Sequence, residues 1–325
     1  MRTSILKVIP LLTAFTILLA LTGCQSQHQL YGSIAVQGTP PAPAGPYLYK
    51  VFMTSANEGW AVGGSFSTLG FEQSATMLHY SNGTWNHVSV SNVLFSLYMD
   101  SSTDGWAVGL YGAIMHYDGK TWTGINSPAS NVLRDVFMLS ANNGWIVGDH
   151  GQILHYDGNA WGVTQNPVPS TANLLSLSMV SANDGWAVGE NGIIIHYNGT
   201  QWTQINSPTS NDLNGIFMVS ANNGWIVGEK GTILHYNGSA WTAVQSPGST
   251  GWYSVSMTSA NNGWASGEDG TVMHFNGSIW TADTQDTVAG YDLSSIYMVS
   301  ATEGWSVGQK DIIRHFHNGA WSTYS

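Results

Sequence analysis

Cysteine is almost missing from this chain, which has 325 residues and a single cysteine, Cys24. A disulfide framework within the chain is therefore excluded. Lysine and arginine are also scarce: they number 8 against 19 aspartates and glutamates, and the net charge is −11. This deficit argues against nucleic acid and anionic lipid headgroups as partners, because both need basic patches. It leaves a neutral glycan, a cation or a basic protein as ligands.

Helical periodicity and the common catalytic motifs are also absent. No repeat unit shows the 3.6-residue hydrophobic period of an amphipathic helix. The sequence contains no nucleophile elbow, no phosphate-binding loop and no metal-ligand cluster of recognised spacing. We therefore expect a protein that is not an enzyme, with no catalytic residues, no cofactor and no metal.

The N-terminal sequence has the pattern of a targeting signal. An apolar run from Val8 to Leu21 follows Arg2 and Lys7 and is shorter than the roughly 20 residues that span a bilayer. The run ends in Leu21-Thr22-Gly23-Cys24, which resembles a bacterial lipobox. We expect cleavage before Cys24, lipidation of its thiol, and an extracytoplasmic protein anchored to a bacterial membrane. An uncleaved anchor and a plain signal peptide are the alternatives.

The dominant feature of the sequence is a repeat of about 40 residues that occurs seven times. All but one of the 15 tryptophans belong to it. A Gly-Trp pair marks each copy, with its tryptophan at Trp60, Trp106, Trp145, Trp186, Trp225, Trp264 and Trp305. A second tryptophan closes each copy, at Trp85, Trp122, Trp161, Trp202, Trp241, Trp280 and Trp321.

Each copy contains four short apolar runs. In the fifth copy these runs begin at Leu213, Gly224, Thr232 and Trp241, and Gly, Asn and Ser clusters separate them. Such runs are typical of strands, and the Asn-Gly or Asp-Gly pair before each closing tryptophan is typical of a tight hairpin. Four antiparallel strands per copy make a propeller blade. The sequence therefore predicts an all-β fold, a seven-bladed β-propeller with four-stranded antiparallel blades.

The repeat motif also points to a family. The pattern Gly-Trp-x-Val-Gly-x-x-Gly-x-Ile followed by Asp-Gly-x-x-Trp resembles the BNR/Asp-box type of propeller repeat, and it is most like the seven-bladed photosystem II stability/assembly factor family. The resemblance covers roughly Leu48 to Trp321 and implies a scaffold for a protein client. Tyr156 to Trp161 departs from the usual Asp-box, being one residue shorter and without its serine. The assembly factors use an arginine-rich patch that this chain lacks, so the family's partner cannot be assigned to this chain from the resemblance.

The resemblance also raises a sialidase as an alternative, since sialidases share the Asp-box propeller and hold a carboxylate with three arginines. Outside the predicted signal peptide only Arg134 and Arg314 are arginines. This shortage argues against a sialidase.

Three domains follow: residues 1–23 as a lipoprotein signal peptide, 24–46 as a tether with a closing strand, and 47–325 as the propeller. The closing strand is inferred because Ser33 to Pro40 resembles Thr242 to Pro247, the last strand of a repeat. Since the chain ends soon after Trp321, we expect a short fourth strand in the last blade. We expect a surface loop at Gly64 to Gln73, an insertion in the first blade.

Two repeated polar columns are candidates for chemistry. The first is a histidine that ends the third strand of each copy: His79, His116, His155, His196, His235, His274 and His315. Equivalent positions on adjacent sheets lie too far apart to share a metal, so we interpret these histidines as structural. The second column, between the second and third strands, contains carboxylates: Asp149, Glu190, Glu229 and Glu268. These carboxylates are either a cation-collecting rim or solvated turn residues, and none stands out as a catalytic pair.

The candidate binding residues come from columns that vary between copies on a constant scaffold. Two variable positions follow the residue that opens the innermost strand, and we expect them to surround one mouth of the central channel. The candidate ligand-binding residues are Tyr49, Lys50, Arg134, Asp135, Asn214, Trp252 and Tyr253. Trp252, Tyr253 and Arg134 are expected to contribute most, because such residues are enriched at binding hot spots. Packing of Trp252 in the core is the alternative.

The sequence thus predicts a membrane-anchored binding or assembly scaffold for a protein partner. A carbohydrate-binding module is the second alternative, and a glycoside hydrolase of the Asp-box type is the third.

Overall fold

The computed structural model describes residues 46–66, 73–283 and 288–324. The lipidation site Cys24 and the closing strand at Ser33–Pro40 lie outside these residues, so both stay predictions. Within them, no helix is long and apolar enough to cross a membrane.

The described chain forms 28 strands. Blades one and two contain β1 (Tyr47–Ser55), β2 (Glu58–Phe66), β3 (Gln73–Ser81), β4 (Thr84–His87), β5 (Leu94–Ser101), β6 (Asp104–Gly109), β7 (Ile114–Tyr117) and β8 (Trp122–Ile125). Blades three and four contain β9 (Leu133–Ser140), β10 (Asn143–Gly148), β11 (Ile153–Tyr156), β12 (Trp161–Val163), β13 (Leu174–Ser181), β14 (Asp184–Gly189), β15 (Ile194–Tyr197) and β16 (Trp202–Ile205).

Blades five to seven repeat the pattern with β17 (Leu213–Ser220), β18 (Asn223–Gly228), β19 (Thr232–Tyr236), β20 (Trp241–Ala243), β21 (Trp252–Ser259), β22 (Asn262–Gly267), β23 (Val272–Phe275), β24 (Trp280–Asp283), β25 (Leu293–Ser300), β26 (Glu303–Gly308), β27 (Ile313–His317) and β28 (Ala320–Thr323). In blades two to six a short 3-10 turn joins the second and third strands, at Leu110–Gly112, Asp149–Gly151, Glu190–Gly192, Glu229–Gly231 and Glu268–Gly270.

Every sheet has four antiparallel strands in sequential order. The first strand of each blade contacts the first strands of the two neighbouring blades, and β25 contacts β1. The seven first strands therefore form the innermost ring, and the predicted seven-bladed propeller is confirmed.

The Gly-Trp pair has a packing cause. A methyl group placed on Gly224 would lie only 2.2 Å from Sδ of Met218, which fills the space beside the glycine from the inner strand. The same methionine contact recurs in all seven blades. The tryptophan after each glycine is buried between neighbouring blades. Glycine therefore leaves room for the methionine while the next residue fills the interface between sheets.

Tryptophans also link one blade to the next. Trp60 of blade one and Trp122 of blade two meet edge to face with ring centroids 5.4 Å apart, and Trp305 of blade seven meets Trp85 of blade one in the same way at 5.5 Å. Their indole nitrogens are buried without a conventional hydrogen-bond acceptor among the described residues. Edge-to-face contacts of this kind add to the burial of the rings and stabilise the interface between blades.

Two details of the terminal blades differ from expectation. Blade seven has a fourth strand of its own, β28, which is as long as most other fourth strands, so the expected shortening is wrong. In blade one the insertion is only partly a loop, because Gly64, Ser65 and Phe66 pair with Ala75, Ser74 and Gln73 and lengthen the hairpin. Backbone pairing beyond the usual end of the strand explains this difference.

The ring closes between blades seven and one. The Asp311 N–H donates to the Pro46 carbonyl at 3.1 Å, and the Val51 N–H donates to Ser295 Oγ at 3.3 Å. The ring of Tyr324 packs 5.4 Å from Trp305, and its hydroxyl donates to the carbonyl of Gly83 in blade one. Side chains and backbone from both ends of the propeller therefore hold this interface.

Candidate functional site

A ring of β-bulges surrounds the mouth at which the inner strands begin. In β17, Leu213 pairs with Gly228 and Gly215 pairs with Val227, so Asn214 is the extra residue. The same shift occurs in all seven inner strands. The extra residues are Tyr49, Phe95, Arg134, Leu175, Asn214, Tyr253 and Ser294. The first of the two variable positions found in the sequence thus coincides with a bulge in every blade, and bulges re-aim side chains and are frequent beside functional sites.

Asp135 joins four blades at this ring. Its Oδ1 accepts hydrogen bonds from Lys50 Nζ at 3.2 Å and Ser96 Oγ at 2.6 Å. Its Oδ2 accepts from Ser176 Oγ and from the Leu177 N–H, both at 3.0 Å. The carboxylate is therefore fully bonded within the protein, and its role here is to tie inner strands together.

Arg134 is also paired within the fold. Its Nε and Nη2 donate to the two carboxylate oxygens of Asp149 at 2.7 and 2.9 Å, and both side chains are buried. Its guanidinium lies 5.0 Å from the ring centre of Phe95, which in turn lies 5.0 Å from the ring of Tyr49. The structure thus brings Tyr49 and Arg134 together through Phe95, in a row with little exposed surface.

The remaining candidates line blades five and six. Trp252 is 2% exposed, packs in a core cluster with Trp225 and Ile233, and donates from Nε1 to Ser246 Oγ at 3.2 Å. Tyr253 is buried as well. Asn214 is half-buried and donates to the Trp252 carbonyl at 3.0 Å. The burial of Trp252 favours the packing alternative for this residue, whereas Asn214 and Lys50 keep accessible surface.

Just outside the bulge ring lies an arc of half-buried carboxylates, which we call the acidic arc. It runs across blades four to seven and consists of Glu190, Asp212, Glu229, Glu268 and Asp292. Among the described residues, none of these carboxylates forms an ion pair with lysine or arginine, in contrast to Asp149. A methyl group placed on Gly251 would lie 2.9 Å from Glu268 Oε1 and 3.4 Å from Glu229 Oε2, so these two carboxylates converge there.

The arc is electrostatically strained. Burial, and after it the charge of Glu268, raises the pKa of Glu229. Burial also raises the pKa of Glu190 and the pKa of Asp292, with further contributions from Asp212 at Glu190 and from Glu268 at Asp292. A hydrogen bond from Asn173 to Glu190, and those from the Asp269 N–H and the Tyr253 hydroxyl to Asp292, offset only part of this effect on the pKa values. The arc therefore favours any ligand that brings positive charge.

The sequence identified three carboxylates of this arc but missed Asp212 and Asp292. Both precede the residue that opens an inner strand, where the other blades have Tyr, Val, Asn or Gly. Asp212 accepts from the Asn191 N–H at 2.7 Å and Asp292 accepts from the Asp269 N–H at 3.1 Å. Comparing this position between repeats would have revealed the two aspartates. Their approach to the glutamates could not be read from the sequence, because it depends on the bend of the hairpins.

The opposite mouth is aromatic. Tyr297, Phe52, Tyr98 and Phe137 form a continuous row with ring centroids 4.6, 4.8 and 4.8 Å apart. Phe52 and Tyr297 line an open cavity of about 470 Å³ together with Asp100. Burial raises the pKa of Tyr297 to about 12, so its hydroxyl is neutral at physiological pH.

The repeated histidines make the same two contacts in every blade. In each blade Nε2 of the histidine bonds to a side-chain oxygen at the start of the second strand, as for His196 and Asp184 at 2.8 Å. The ring also stacks on the blade's first tryptophan, with centroids 4.2 Å apart for His196 and Trp186.

A sialidase would need several arginines around one carboxylate of its substrate. In this protein Arg134 and Arg314 are buried and belong to different blades.

Comparison with known proteins supports the family resemblance. The family described as "Photosynthesis system II assembly factor YCF48" matches residues 116–215. The solved structure "YCF48 bound to D1 peptide" has a TM-score of 0.68 at 18% identity and covers 89% of this chain and 97% of that one. "YCF48 from Cyanidioschyzon merolae" has a TM-score of 0.66 at 18% identity and covers 85% of this chain and 97% of that one.

The same fold occurs outside that family. "Crystal structure of RRP9 WD40 repeats" has a TM-score of 0.66 at 9% identity, with 84% of this chain and 93% of that chain covered. No curated protein matches the chain. The structural neighbours thus show the fold, and the family match confirms the resemblance to the photosystem II assembly factor type of propeller.

Proposed function

We propose that this protein is a non-catalytic scaffold that binds a lysine- or arginine-containing segment of a partner protein at the acidic arc. The observation that carries the proposal is a set of converging, half-buried carboxylates that form no ion pair with lysine or arginine in the described chain. One structural neighbour is YCF48 bound to D1 peptide, so a propeller of similar fold holds a peptide ligand. Fold alone does not give function, and the acidic arc is the feature of this chain that supports a basic ligand.

The chemistry of the arc selects the ligand's charge. A lysine or arginine placed between Glu229 and Glu268 would form charge-assisted hydrogen bonds and remove their mutual repulsion. Partial burial lowers the local dielectric and strengthens such a contact compared with an exposed surface pair. Lys50 and Arg134, by contrast, are already engaged by Asp135 and Asp149. The arc therefore accepts a basic segment and repels an acidic one.

Two other functions compete with this proposal. The aromatic row at the opposite mouth is a surface on which a sugar ring could stack, so a carbohydrate-binding module is the second candidate. The approach of Glu229 to Glu268 is the feature that would favour a glycoside hydrolase. However, these residues are two members of a longer arc, and the pKa of Asp292 and the pKa of Glu190 are raised alongside that of Glu229.

A peptide array and a glycan array, probed with the same purified protein, separate these functions. The peptide array carries matched sets in which lysines are replaced by glutamine or glutamate. We expect binding to lysine-containing peptides only, reduced by Glu229→Gln with Glu268→Gln and unchanged by Asp100→Asn at the opposite mouth. Binding confined to the glycan array would overturn the proposal, and release of sugar from a bound glycan would show catalysis.

We also propose that the scaffold is extracytoplasmic and attached to a bacterial membrane through a diacylglyceryl group on Cys24. The support is the lipobox-like sequence Leu21-Thr22-Gly23-Cys24. Cys24→Ala should leave an unprocessed precursor or release the protein from the membrane fraction. Normal processing with unchanged detergent partitioning would contradict lipidation at this residue.

A further inference from the structure

Blade seven differs from the other six at one position on the face opposite the acidic arc. The residue two positions after the repeated histidine is His317, whereas the other blades have Ser81, Asp118, Asp157, Asn198, Asn237 and Asn276. His317 is directly opposite Glu303 in the β26–β27 ladder, and His315 is opposite Trp305. Three metal-ligating side chains therefore meet on one face of one hairpin.

The geometry of these side chains is that of a cation site. Glu303 bonds to both rings: one carboxylate oxygen contacts His315 Nε2, and the other lies 2.8 Å from His317 Nδ1. One ligand atom from each residue lies within 4.8 Å of the other two. Zinc holds nitrogen and oxygen ligands at about 2.0–2.2 Å, so the three side chains have to adjust around an ion, and His317 is the most exposed of them.

The surrounding structure fixes two of the three ligands. The His315 ring stacks on Trp305 with an interplanar angle of 14° and a centroid distance of 4.1 Å. Glu303 is mostly shielded, whereas the His317 side chain is 60% exposed. The site is therefore half preorganised, and the solvent side leaves a coordination position open.

We propose that Glu303, His315 and His317 bind one divalent transition-metal ion, and that this ion is zinc. Two imidazoles and one carboxylate favour zinc, copper or nickel over magnesium and calcium, which prefer all-oxygen sites. Water or a ligand from another molecule completes the coordination. The sequence alone did not show this site, because Glu303 is distant from the histidines along the chain and only the hairpin register brings it close.

The test is isothermal titration of the full chain, purified without a polyhistidine tag, with zinc sulfate. The wild-type protein should bind one equivalent, and magnesium at the same concentration should give no heat. His317→Ala and Glu303→Gln should each weaken zinc binding by on the order of 10–100-fold or more, because even residues that only support a ligand have effects of that size. Cobalt should give a visible absorption spectrum that the same variants lose.

Two control variants make the result specific. His150→Asn removes an exposed histidine elsewhere, at a left-handed position that asparagine tolerates, and should leave the affinity unchanged. Ser81→His should add a second equivalent, because Glu58 pairs with Ser81 and Trp60 with His79 in the register seen in blade seven. The absence of zinc binding by the wild-type protein, or equal binding by His317→Ala, would overturn the proposal.

Discussion

At the scale of the residue, burial decides what a side chain in the variable columns can do. Arg134 and Asp135 stand where a ligand could approach, but each is bonded within the fold. Glu229 and Glu268 occupy a column that is acidic in four consecutive blades, and neither forms an ion pair with lysine or arginine in the described chain. Variation between repeats therefore pointed to this mouth of the channel, but it did not show which side chains there are already bonded within the fold.

Trp252 tests this distinction. Its side chain is 2% exposed in the cluster between blades five and six. Trp252→Ala should lower the free energy of unfolding by about 3–5 kcal/mol, the range for a large aromatic truncation in a core. We expect the affinity for a lysine-containing peptide to stay unchanged in the folded protein. Urea denaturation and peptide titration on the same variant measure both quantities. A loss of affinity without a loss of stability would assign Trp252 to the binding surface.

The acidic arc predicts a pH dependence of stability. Burial and the charge of Glu268 raise the pKa of Glu229 above its ordinary value of 4.5. A raised pKa in the folded state contributes stability that is complete below the unfolded value and is lost as pH rises through the folded value. Glu229→Gln should therefore be more stable than the wild-type protein at pH 7, and the difference should shrink toward zero at pH 4.

Urea midpoints at the two pH values measure this difference. Asp118→Asn is the control, because backbone hydrogen bonds lower the pKa of Asp118 and removal of its charge should not stabilise the protein at pH 7. Equal midpoints for Glu229→Gln and the wild-type protein at both pH values would contradict a strained arc.

At the scale of the element, each blade depends on the fit between its first two strands. Gly224→Ala should cost about 1–3 kcal/mol, because the new methyl group would overlap Met218 Sδ and approach Trp241. Gly124→Ala, in the outer strand β8, is the matched control, since nothing lies within 4 Å of its methyl group. Thermal unfolding of both variants checks the prediction, and equal melting temperatures would contradict the packing account of the Gly-Trp pair.

The elements were largely predictable from the sequence, and the sites were not. The Gly-Trp pair and the Asn-Gly or Asp-Gly turn occur in all seven copies, so a strand that is ambiguous in one copy is clear from the others. For this reason the predicted number and order of strands were correct. The bulges at Asn214 and its equivalents, the convergence of Glu229 with Glu268, and the meeting of Glu303 with His317 all depend on register and hairpin curvature. Those quantities are set by pairing between strands, and no short motif encodes them.

At the scale of the whole molecule, the interface between blades seven and one closes the ring. Tyr324 packs on Trp305 and Tyr80 and bonds to blade one through its hydroxyl. Tyr324→Ala should lower stability by about 1–3 kcal/mol, in the range of common destabilising substitutions. Tyr111→Ala is the control, because Tyr111 is 68% exposed. Equal urea midpoints for the two variants would show that closure does not depend on Tyr324.

The acidic arc and the other candidate surfaces lie on opposite faces of the propeller. The acidic arc lies on the face of the hairpins between second and third strands, whereas the aromatic row and the Glu303 cluster lie toward the opposite face. One scaffold can therefore hold a basic protein segment on one side while the other side remains free. Because the net charge is −11, long-range attraction adds to local contacts, and binding should weaken as salt screens it.

The most direct test of the central claim is fluorescence anisotropy with one labelled lysine-rich peptide selected from the array. Affinity is measured for the wild-type protein, for the Glu229→Gln/Glu268→Gln double variant and for Asp100→Asn, at low and high salt. We predict that the double variant binds at least about tenfold more weakly, since loss of charge-assisted hydrogen bonds costs on the order of 1.5–3 kcal/mol, and that Asp100→Asn binds like the wild-type protein. Equal affinities for all three proteins would contradict binding at the acidic arc.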